Sequence, residues 1–387
     1  MSFKNTKTAF SVKSNSELRR AYLLFKLITY PYLVSLGKFI ITISVKLRLP
    51  IDGLIRVLVF DHFCAGIDEK DSMKIVNQLA TKNVKSYLHY SVEGADSEKN
   101  FDSCLDSTIK TLEASVNNLA LPFSVFKPSG YGSTSLFEKK SSNIPFNKKE
   151  SEEWGRIVDR FRITFNKAKS IGISVFVDAE ESWIQPAIDE LVELMMLEFN
   201  KDRAVVYNTV QMYRKDRYEY LKKLNDKSLK DNFKIGIKLV RGAYMEIERS
   251  RAIKNRYPSP ICASKEETDI QYDNGIDFMF KNIDRFFMFL GSHNEKSANK
   301  AIDLAIENSI GKDHPNLSFG QLYGMSDNIT FSLAENGYRA VKYLPYGPVK
   351  EVVPYLIRRA NENSSVSGQS NRELDMISEE LRRRKGS

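Results

Sequence analysis

Two adjacent arginines near the C-terminus carry the clearest chemical signal in the sequence. They lie in the segment YLPYGPVKEVVPYLIRRANEN, residues 343–363. If this segment is helical, four side chains share one face at spacings of i, i+3, i+4 and i+7: Tyr355, Arg358, Arg359 and Glu362. Paired guanidinium groups match the planar geometry of a carboxylate, and a nearby glutamate can orient them. The segment therefore predicts a carboxylate-binding site, with Tyr343 and Tyr355 as walls around a small ring-shaped or aliphatic ligand.

Short apolar runs that alternate with helical segments predict the scaffold for this site. Eight runs from about residue 84 onward are rich in β-branched and aromatic residues, as strands are: VKSYLHYSV, LPFSVFK, GISVFVDAE, RAVVYNTVQ, KIGIKLVRG, FFMFLGSHN, NLSFGQLYG and RAVKYLPYG. Four intervening segments have helical periodicity: SCLDSTIKTLEASVNNL, EWGRIVDRFRITFNKAKSIG, IQPAIDELVELMMLEF and SANKAIDLAIENSIG. Gly172 and Gly311 are predicted to end the second and the fourth of these helices. The alternation predicts an α/β fold, a distorted (β/α)8 TIM-like barrel.

A doubly wound open sheet is the rival fold. It is disfavoured because no predicted strand leads into a G-x-G-x-x-G turn of the kind that binds dinucleotides. The barrel prediction divides the chain into three parts. Residues 1–83 form an N-terminal helical extension packed on the barrel, residues 84–363 form the catalytic barrel, and residues 364–387 form a polar C-terminal tail.

Polar residues at the ends of the predicted strands are the candidates for chemistry, because barrel active sites lie at the carboxyl ends of the strands. They are Lys127, Asp178, Gln211, Lys238, Arg241, Ser292, His293, Gln321, Tyr323 and Tyr343. Lys127 fits a solvated loop lysine, an anion-binding group or a Schiff-base nucleophile. Asp178 begins the acidic run DAEES, which fits a helix N-terminus as well as a catalytic role.

The stretch KLVRGAYM and the single His293 limit the kinds of ligand that the site can take. Lys238 and Arg241 stand beside small residues that permit close approach to the backbone, which suits a flat anionic cofactor or a structural turn. His293 has no second histidine at metal-ligand spacing, so we predict no metal site.

The overall charge limits the kinds of partner that the protein can have, and the cysteines indicate its compartment. The 387 residues include 58 Lys and Arg against 49 Asp and Glu, a formal net charge of +9. Such a balance favours anionic partners, membrane surfaces included, but the interleaved acidic residues argue against nucleic acid. The three cysteines, Cys64, Cys104 and Cys262, show neither disulfide nor metal spacing. With no secretory signal at the N-terminus, they indicate a reducing compartment, which we take to be the cytoplasm.

An apolar segment near the N-terminus raises the question of a membrane. Residues 21–47 are strongly apolar but contain Lys26, Pro31 and Lys38. A bilayer span needs about 20 mostly apolar residues with few charges. We therefore predict helices packed on a domain, with an interfacial contact at the inner membrane as the alternative.

Seven ordered motifs resemble the proline dehydrogenases, flavin enzymes that oxidise L-proline to Δ1-pyrroline-5-carboxylate. The motifs are SVFKPSG, VDAEES, TVQMY, IKLVRGAY, GSHN, FGQLYGM and the arginine segment. The resemblance covers about residues 84–363 and implies a distorted (β/α)8 barrel with FAD at the strand ends. One departure is that the family commonly has R-L-V-K-G-A-Y, whereas Lys238 and Arg241 stand here in the exchanged order. We expect the exchange to change flavin reactivity without abolishing activity.

The resemblance implies a role for each matching residue. The substrate-binding set is Lys127, Leu322, Tyr343, Tyr355, Arg358, Arg359 and Glu362. The catalytic set is Asp178, Lys238 and Tyr244. The cofactor-binding set is Ala179, Gln211, Arg241, Gly242, Ala243, Ser292 and His293.

The implied reaction is hydride transfer from proline C5 to flavin N5, the first step of proline catabolism. The resemblance further implies a quinone-type electron acceptor, met at a membrane surface, and a separate pyrroline-5-carboxylate dehydrogenase downstream. No general base is assigned. Hydroxyproline is the alternative substrate. The alternatives from other classes are an aldolase with Lys127 or Lys238 as a Schiff-base nucleophile and a non-catalytic carboxylate-binding protein.

Overall fold

Eight parallel strands form the framework of the protein. The computed structural model describes residues 1–30, 32–35, 37, 52–91, 96–365 and 369–386. The strands are β1 (Lys85–Tyr90), β2 (Phe123–Phe126), β3 (Ser174–Val177), β4 (Val206–Gln211), β5 (Ile235–Val240), β6 (Phe286–Gly291), β7 (Leu317–Leu322) and β8 (Ala340–Tyr346). Their order in the sheet is β1-β8-β7-β6-β5-β4-β3-β2. Each predicted apolar run forms one strand, so the predicted fold class, a (β/α)8 barrel, is confirmed.

The chain divides into two compact units. Unit 1 comprises residues 1–93 and 321–387, and unit 2 comprises residues 94–320. The boundaries predicted at residues 83 and 363 stay predictions.

Unit 2 contains strands β2 to β6 and most of β7. Its helices are α5 (Glu98–Ala114), α6 (Thr134–Ser141), α7 (Lys148–Ser170), α8 (Gln185–Phe199), α9 (Arg217–Asp231), α10 (Met245–Asn255), α11 (Lys265–Lys281) and α12 (Glu295–Glu307). Neighbouring strands pair in parallel, with Asn208 opposite Ile237 and Lys238 opposite Phe289. The strands have almost no exposed surface, as in β3, where Val175, Phe176 and Val177 are all buried. Continuous apolar runs are expected for parallel strands covered on both faces.

Unit 1 joins the two ends of the chain around strands β1 and β8. Its helices are α1 (Thr6–Ala9), α2 (Asn15–Ile28), α3 (Asp52–Ile55, continued by the π-helical turn Arg56–Phe60 and by Asp61–Phe63), α4 (Glu69–Ala80), α13 (Asp327–Glu335), α14 (Val349–Ser365) and α15 (Gln369–Lys385). A capping box begins α2, because Ser14 accepts from the Glu17 amide and Glu17 accepts from the Ser14 amide. Helix α15 packs on α2.

One of the two predicted helix ends is confirmed and the other is wrong. Helix α7 ends at Ser170 and is closed by Gly172, which has a φ of 76°, and the Ile173 amide donates to the Ala168 carbonyl. Helix α12 ends before Gly311, because Ser309 takes the left-handed conformation with a φ of 55°. The Ile310 amide then donates to the Ala305 carbonyl at 2.8 Å and closes the same type of C-terminal turn two residues earlier.

The predicted helices of the apolar segment 21–47 are described only in part. Helix α2 covers its beginning up to Ile28, with Ala21, Leu24, Phe25 and Ile28 buried. Residues 31, 36 and 38–51 lie outside the described residues. Within the described part of the chain, no helix combines the length and the apolar character needed to cross a membrane.

The segment predicted as a polar tail contains helix α15, which Arg384 ties to the N-terminus. The Arg384 guanidinium donates to the carbonyls of Phe10 and Lys13 at 2.9 and 2.8 Å and to Asn15 Oδ1 at 3.0 Å. Its Nε donates to Glu380 Oε1 at 2.6 Å, and Glu380 is buried. The last turn of α15 is thus bonded to the backbone that precedes α2.

Replacing Arg384 tests this connection. We expect Arg384→Ala to lower the free energy of unfolding by about 2–3 kcal/mol, because it removes charge-assisted hydrogen bonds and leaves carbonyls unpaired. Denaturant unfolding followed by circular dichroism measures the loss. Arg382→Ala, at an exposed position of the same helix, is the control. Equal stabilities of the two variants would contradict the assignment.

Candidate active site

A lysine and an aspartate form a largely buried ion pair in unit 2. Lys238 of β5 donates from Nζ to Asp178 Oδ1 at 2.6 Å, and Asp178 directly follows β3. The ammonium group lies 5.4 Å from the centroid of the Phe176 ring, and Lys238 is only 8% exposed. A charge so far from solvent is costly unless it is paired. The structure therefore brings together two of the three residues predicted to be catalytic.

Arg241 is held in one orientation directly after β5. Its Nε donates to Asp269 Oδ1 at 2.6 Å, Nη1 donates to Ser292 Oγ at 2.8 Å and Nη2 donates to Ser297 Oγ at 2.9 Å. The guanidinium carbon lies 4.3 Å from the centroid of the Tyr272 ring. These contacts fix a planar positive group beside Ser292, another residue of the predicted cofactor set.

A single amide side chain links the segments that follow β3 and β5. Gln211, at the end of β4, donates from Nε2 to the Glu180 carbonyl at 2.8 Å and accepts from the Ala243 amide at 3.1 Å. Gly242, which precedes Ala243, has a φ of 141°, and a Cβ at this position would lie 2.5 Å from the Tyr213 ring. Only glycine fits this position without a shift of the ring or the backbone. Gln211 and the segment Gly242–Ala243 are thus neighbours, and their role in binding a cofactor stays a prediction.

Glu180 is a buried carboxyl beside the predicted site residue Gln211, and the sequence analysis did not single it out. It is 5% exposed, and its Oε1 accepts from the Ser129 amide at 2.9 Å. Burial raises the pKa of the Glu180 carboxyl to about 7, although the positive charge of Lys127 and the bond from Ser129 oppose the rise. Glu180 therefore fixes the turn that follows Lys127. The acidic run DAEES was the available signal, but it could not show which carboxyl is buried.

The other residues predicted for unit 2 are placed as follows. Lys127 is half-buried and precedes the 3₁₀ turn Pro128–Gly130. Ala179 is buried, whereas Tyr244, which precedes α10, and His293, which follows β6, are half-buried. Their predicted roles stay predictions.

The arginine segment of unit 1 is helical, which is the condition on which the shared face of its side chains depends. Helix α14 runs through Tyr355, Arg358 and Arg359 and contains Pro354 in its interior. The Arg359 guanidinium carbon lies 5.2 Å from the centroid of the Tyr355 ring, and Arg359 is 8% exposed. Glu362 belongs to the same helix, but its side chain lies outside the described part of the structure.

Tyr343 of β8 joins the α14 residues into an aromatic cluster. The ring centroids of Tyr343 and Tyr355 are 6.2 Å apart, and those of Tyr343 and Tyr87 are 5.2 Å apart. The Tyr343 hydroxyl lies 2.5 Å from His89 Nδ1, which orients the ring from β1. His89 was not predicted, because it occupies one position in an apolar run and its partner is 254 residues away. Unit 1 thus places Arg359 beside Tyr355, whose ring lies near that of Tyr343 in β8.

The fold is a (β/α)8 barrel. It carries acidic, basic and aromatic side chains on and after its strands, as barrel enzymes do. The sequence profile described as proline dehydrogenase matches residues 72–372, which is most of the chain. The chain belongs to the proline dehydrogenase family and is an oxidoreductase of that family.

Similar proteins include relatives found by sequence and a solved structure. The carbapenem antibiotics biosynthesis protein CarD of Pectobacterium carotovorum subsp. carotovorum is 39% identical over 334 residues, which are 86% of either chain. The mitochondrial proline dehydrogenase 1 of Dictyostelium discoideum is 29% identical over 426 residues, with 98% of this chain and 74% of the relative covered. Proline utilization A from Bdellovibrio bacteriovorus, inactivated by N-propargylglycine, superposes with a TM-score of 0.70 at 20% identity. The match covers 94% of this chain and 37% of that chain, and it shows the shared fold.

The burial of Glu180 predicts a pH dependence of stability. Its pKa is raised from 4.5 to about 7 on folding, so the folded protein binds the proton more tightly than the unfolded chain does. Stability therefore falls as the pH rises through this window and becomes constant above it. Between pH 4.5 and pH 8 we expect the free energy of unfolding of Glu180→Gln to rise by about 2–3 kcal/mol relative to that of the native protein, since one pKa unit corresponds to about 1.4 kcal/mol.

Denaturant unfolding of the two proteins at a series of pH values measures this difference. The amide keeps an acceptor for the Ser129 amide, so the pH-dependent part reports the carboxyl charge. Glu246→Gln, at an exposed position of α10, controls for the removal of one charge. A stability difference that is constant across the window would contradict the buried, protonated Glu180.

Proposed function

We propose that the protein oxidises L-proline to Δ1-pyrroline-5-carboxylate with FAD as its cofactor. The single observation that carries the proposal is the arginine face of α14, with Arg359 buried against Tyr355, in a chain of the proline dehydrogenase family. Proline has one carboxylate and one small apolar ring, and this face offers guanidinium groups beside aromatic rings. The chemistry of the face matches the two halves of the substrate.

Arg358 and Arg359 bind the carboxylate of proline in this proposal. A guanidinium fork presents two parallel donors to the two carboxylate oxygens, which fixes the orientation of the substrate as well as its affinity. Lys127 adds a further positive charge, and Glu362 orients the arginine pair. Tyr343, Tyr355 and Leu322 enclose the pyrrolidine ring. The bond between Tyr343 and His89 supports this role, because it keeps one wall of the ring site in place without substrate.

The side chains at the strand ends of unit 2 fit FAD. Arg241 is a preorganised positive group for an anionic cofactor, since three protein oxygens and the Tyr272 ring already fix it. Gly242 has no side chain, and its φ of 141° turns the chain directly after the strand. Ala179, Gln211, Ala243, Ser292 and His293 complete the cofactor set, with amide, hydroxyl and imidazole groups suited to a polar ring system and its phosphates.

When bound, FAD supplies at N5 the acceptor for the hydride that leaves C5 of proline. The residues of the chain position the ring, exclude water and neutralise the carboxylate. Lys238 would supply a positive charge to offset the negative charge of a reduced flavin, and Asp178 holds its ammonium group. Tyr244 stands at the start of α10, near the segment that carries Gly242. We assign no general base for the proline amine.

The proposed reaction needs an electron acceptor and a following enzyme. We propose a quinone-type acceptor, met peripherally at a membrane surface by a cytoplasmic protein, and a separate pyrroline-5-carboxylate dehydrogenase. The formal net charge of +9 supports an encounter with an anionic surface.

The visible absorption spectrum of the purified protein tests the proposal. We expect a yellow protein whose flavin absorbance bleaches when L-proline is added without oxygen. A yellow protein that responds only to hydroxyproline would change the proposed substrate to hydroxyproline and leave the proposed cofactor in place. A colourless protein that does not take up added FAD would overturn the proposal, and trapping by borohydride with a carbonyl substrate would then identify a Schiff-base enzyme.

Substitution of each arginine tests the substrate site separately from the cofactor. We expect Arg358→Met and Arg359→Met to weaken proline binding by about 2–5 kcal/mol, because each removes one member of a charge pair with the carboxylate. The KM for L-proline in steady-state assays measures the effect, and the ratio of flavin to protein absorbance should stay unchanged. Arg382→Met, at an exposed position, is the matched control. A native KM in both variants would remove the arginine pair from the site.

A further inference from the structure

Every residue of the turn that follows β7 is fixed by a hydrogen bond of its backbone. This turn, residues 322–326, begins with Leu322, the predicted wall of the ring site. The backbone groups bonded to residues outside the turn include the Leu322 carbonyl, the Tyr323 amide, the Gly324 carbonyl, the Met325 carbonyl and the Ser326 amide. The surrounding structure therefore defines the course of the turn completely.

Lys342 of β8 and Glu373 of α15 supply the charged contacts to this turn. Lys342 Nζ donates to the carbonyls of Leu322 and Met325 at 3.1 and 2.5 Å, and it pairs with Asp327 Oδ1 at 2.8 Å. Glu373 Oε1 accepts from the Ser326 amide at 2.7 Å. The two side chains thus bind the backbone of the turn at Leu322, Met325 and Ser326.

The turn is held in a conformation that it would not adopt unaided. Gly324 has a φ of 78°, and a Cβ there would lie 2.2 Å from the His62 carbonyl. Ser326 has a φ of 49°, a left-handed conformation that is unfavourable for residues other than glycine. Strained residues persist where the surroundings over-determine them, and such positions are concentrated at functional sites.

The charged groups beneath the turn are buried and come from separate segments. Lys342 and Asp327 are 0% and 8% exposed in their side chains, and Lys13 lies 3.6 Å from Asp327. Burial raises the pKa of Glu373 to about 7, opposed by the bond from Ser326 and by the charges of Lys342 and Arg372. Burying such charges is costly. A purely apolar contact would pack these segments together without that cost, but it could not bind the backbone groups of the turn.

We infer that Glu373 and Lys342 are positioning residues for the substrate, which fix turn 322–326 and thereby the place of Leu322. The inference rests on the proposed function, because Leu322 is a ring wall only if proline is the substrate. Glu373 lies just beyond the matched family region, residues 72–372, whereas the first turn of helix α15 lies within it.

Variants of Glu373 test the inference. Glu373→Asp keeps the charge but is shorter by one methylene, and Glu373→Ala removes the acceptor. We expect either variant to raise the KM for L-proline about tenfold with a smaller change in kcat, the size expected for loss of one hydrogen bond to a charged acceptor. Glu373→Gln keeps an acceptor at the same reach and should restore KM to within about threefold. Glu379→Ala, at an exposed position of α15, is the matched control.

A double-mutant cycle separates positioning from general destabilisation. If Glu373 acts through Leu322, the variant with both Leu322→Ala and Glu373→Asp should have about the same kcat/KM as Leu322→Ala alone. Independent effects, which would multiply, would overturn the inference. So would a native KM in a folded Glu373→Asp protein.

Hydrogen exchange measured by mass spectrometry gives a readout that needs no activity. Amides of the peptide that contains residues 322–326 should exchange faster in Glu373→Asp than in Glu379→Ala, whose α15 is equally intact. If the native protein does not oxidise proline but this difference is present, the proposed function fails and the grip on the turn stands. If the protein oxidises proline and the difference is absent, the inference fails and the proposed function stands.

Discussion

Cationic side chains with little exposure to solvent need charged or polar partners, and these pairs arrange the segments around the parallel strands. Lys238 reaches Asp178, Arg241 reaches Asp269 and two serine hydroxyls, and Lys342 reaches Asp327. Each partner comes from a different segment, so each ion pair also fixes a loop or a neighbouring element. The charges that suit an anionic ligand are therefore the same charges that hold the strand ends in place.

The exchange of lysine and arginine in KLVRGAY agrees with the two environments. Lys238 is a compact point charge that donates to Asp178 and lies near the face of the Phe176 ring. Arg241 uses three nitrogens in three directions and stacks on Tyr272, which a lysine could not do. Position 238, within β5, thus carries the compact ammonium group. Position 241, directly after β5, carries the planar guanidinium group.

Local patterns predicted most of the fold and the residues of the arginine helix. The strands were visible because parallel strands are continuously apolar, and the shared face of Tyr355, Arg358 and Arg359 follows from helical spacing alone. His89, Glu180 and Glu373 could not be found in this way, since their importance lies in partners far away in the sequence. The prediction for Gly311 was wrong for a related reason, because Ser309 took the left-handed position that residue type alone would assign to glycine.

The contact of α15 with the N-terminal residues has a consequence for synthesis of the protein. Unit 1 is built from residues 1–93 and 321–387, and Arg384 bonds to the backbone of Phe10 and Lys13. Residues 1–93 therefore leave the ribosome before residues 321–387 have been synthesised, so unit 1 cannot be completed until the end of synthesis. At about 5–20 residues per second this interval lasts roughly 15–60 s. During that time Phe3, Phe10 and Leu18, buried in the finished protein, lack their final partners and are available to chaperones.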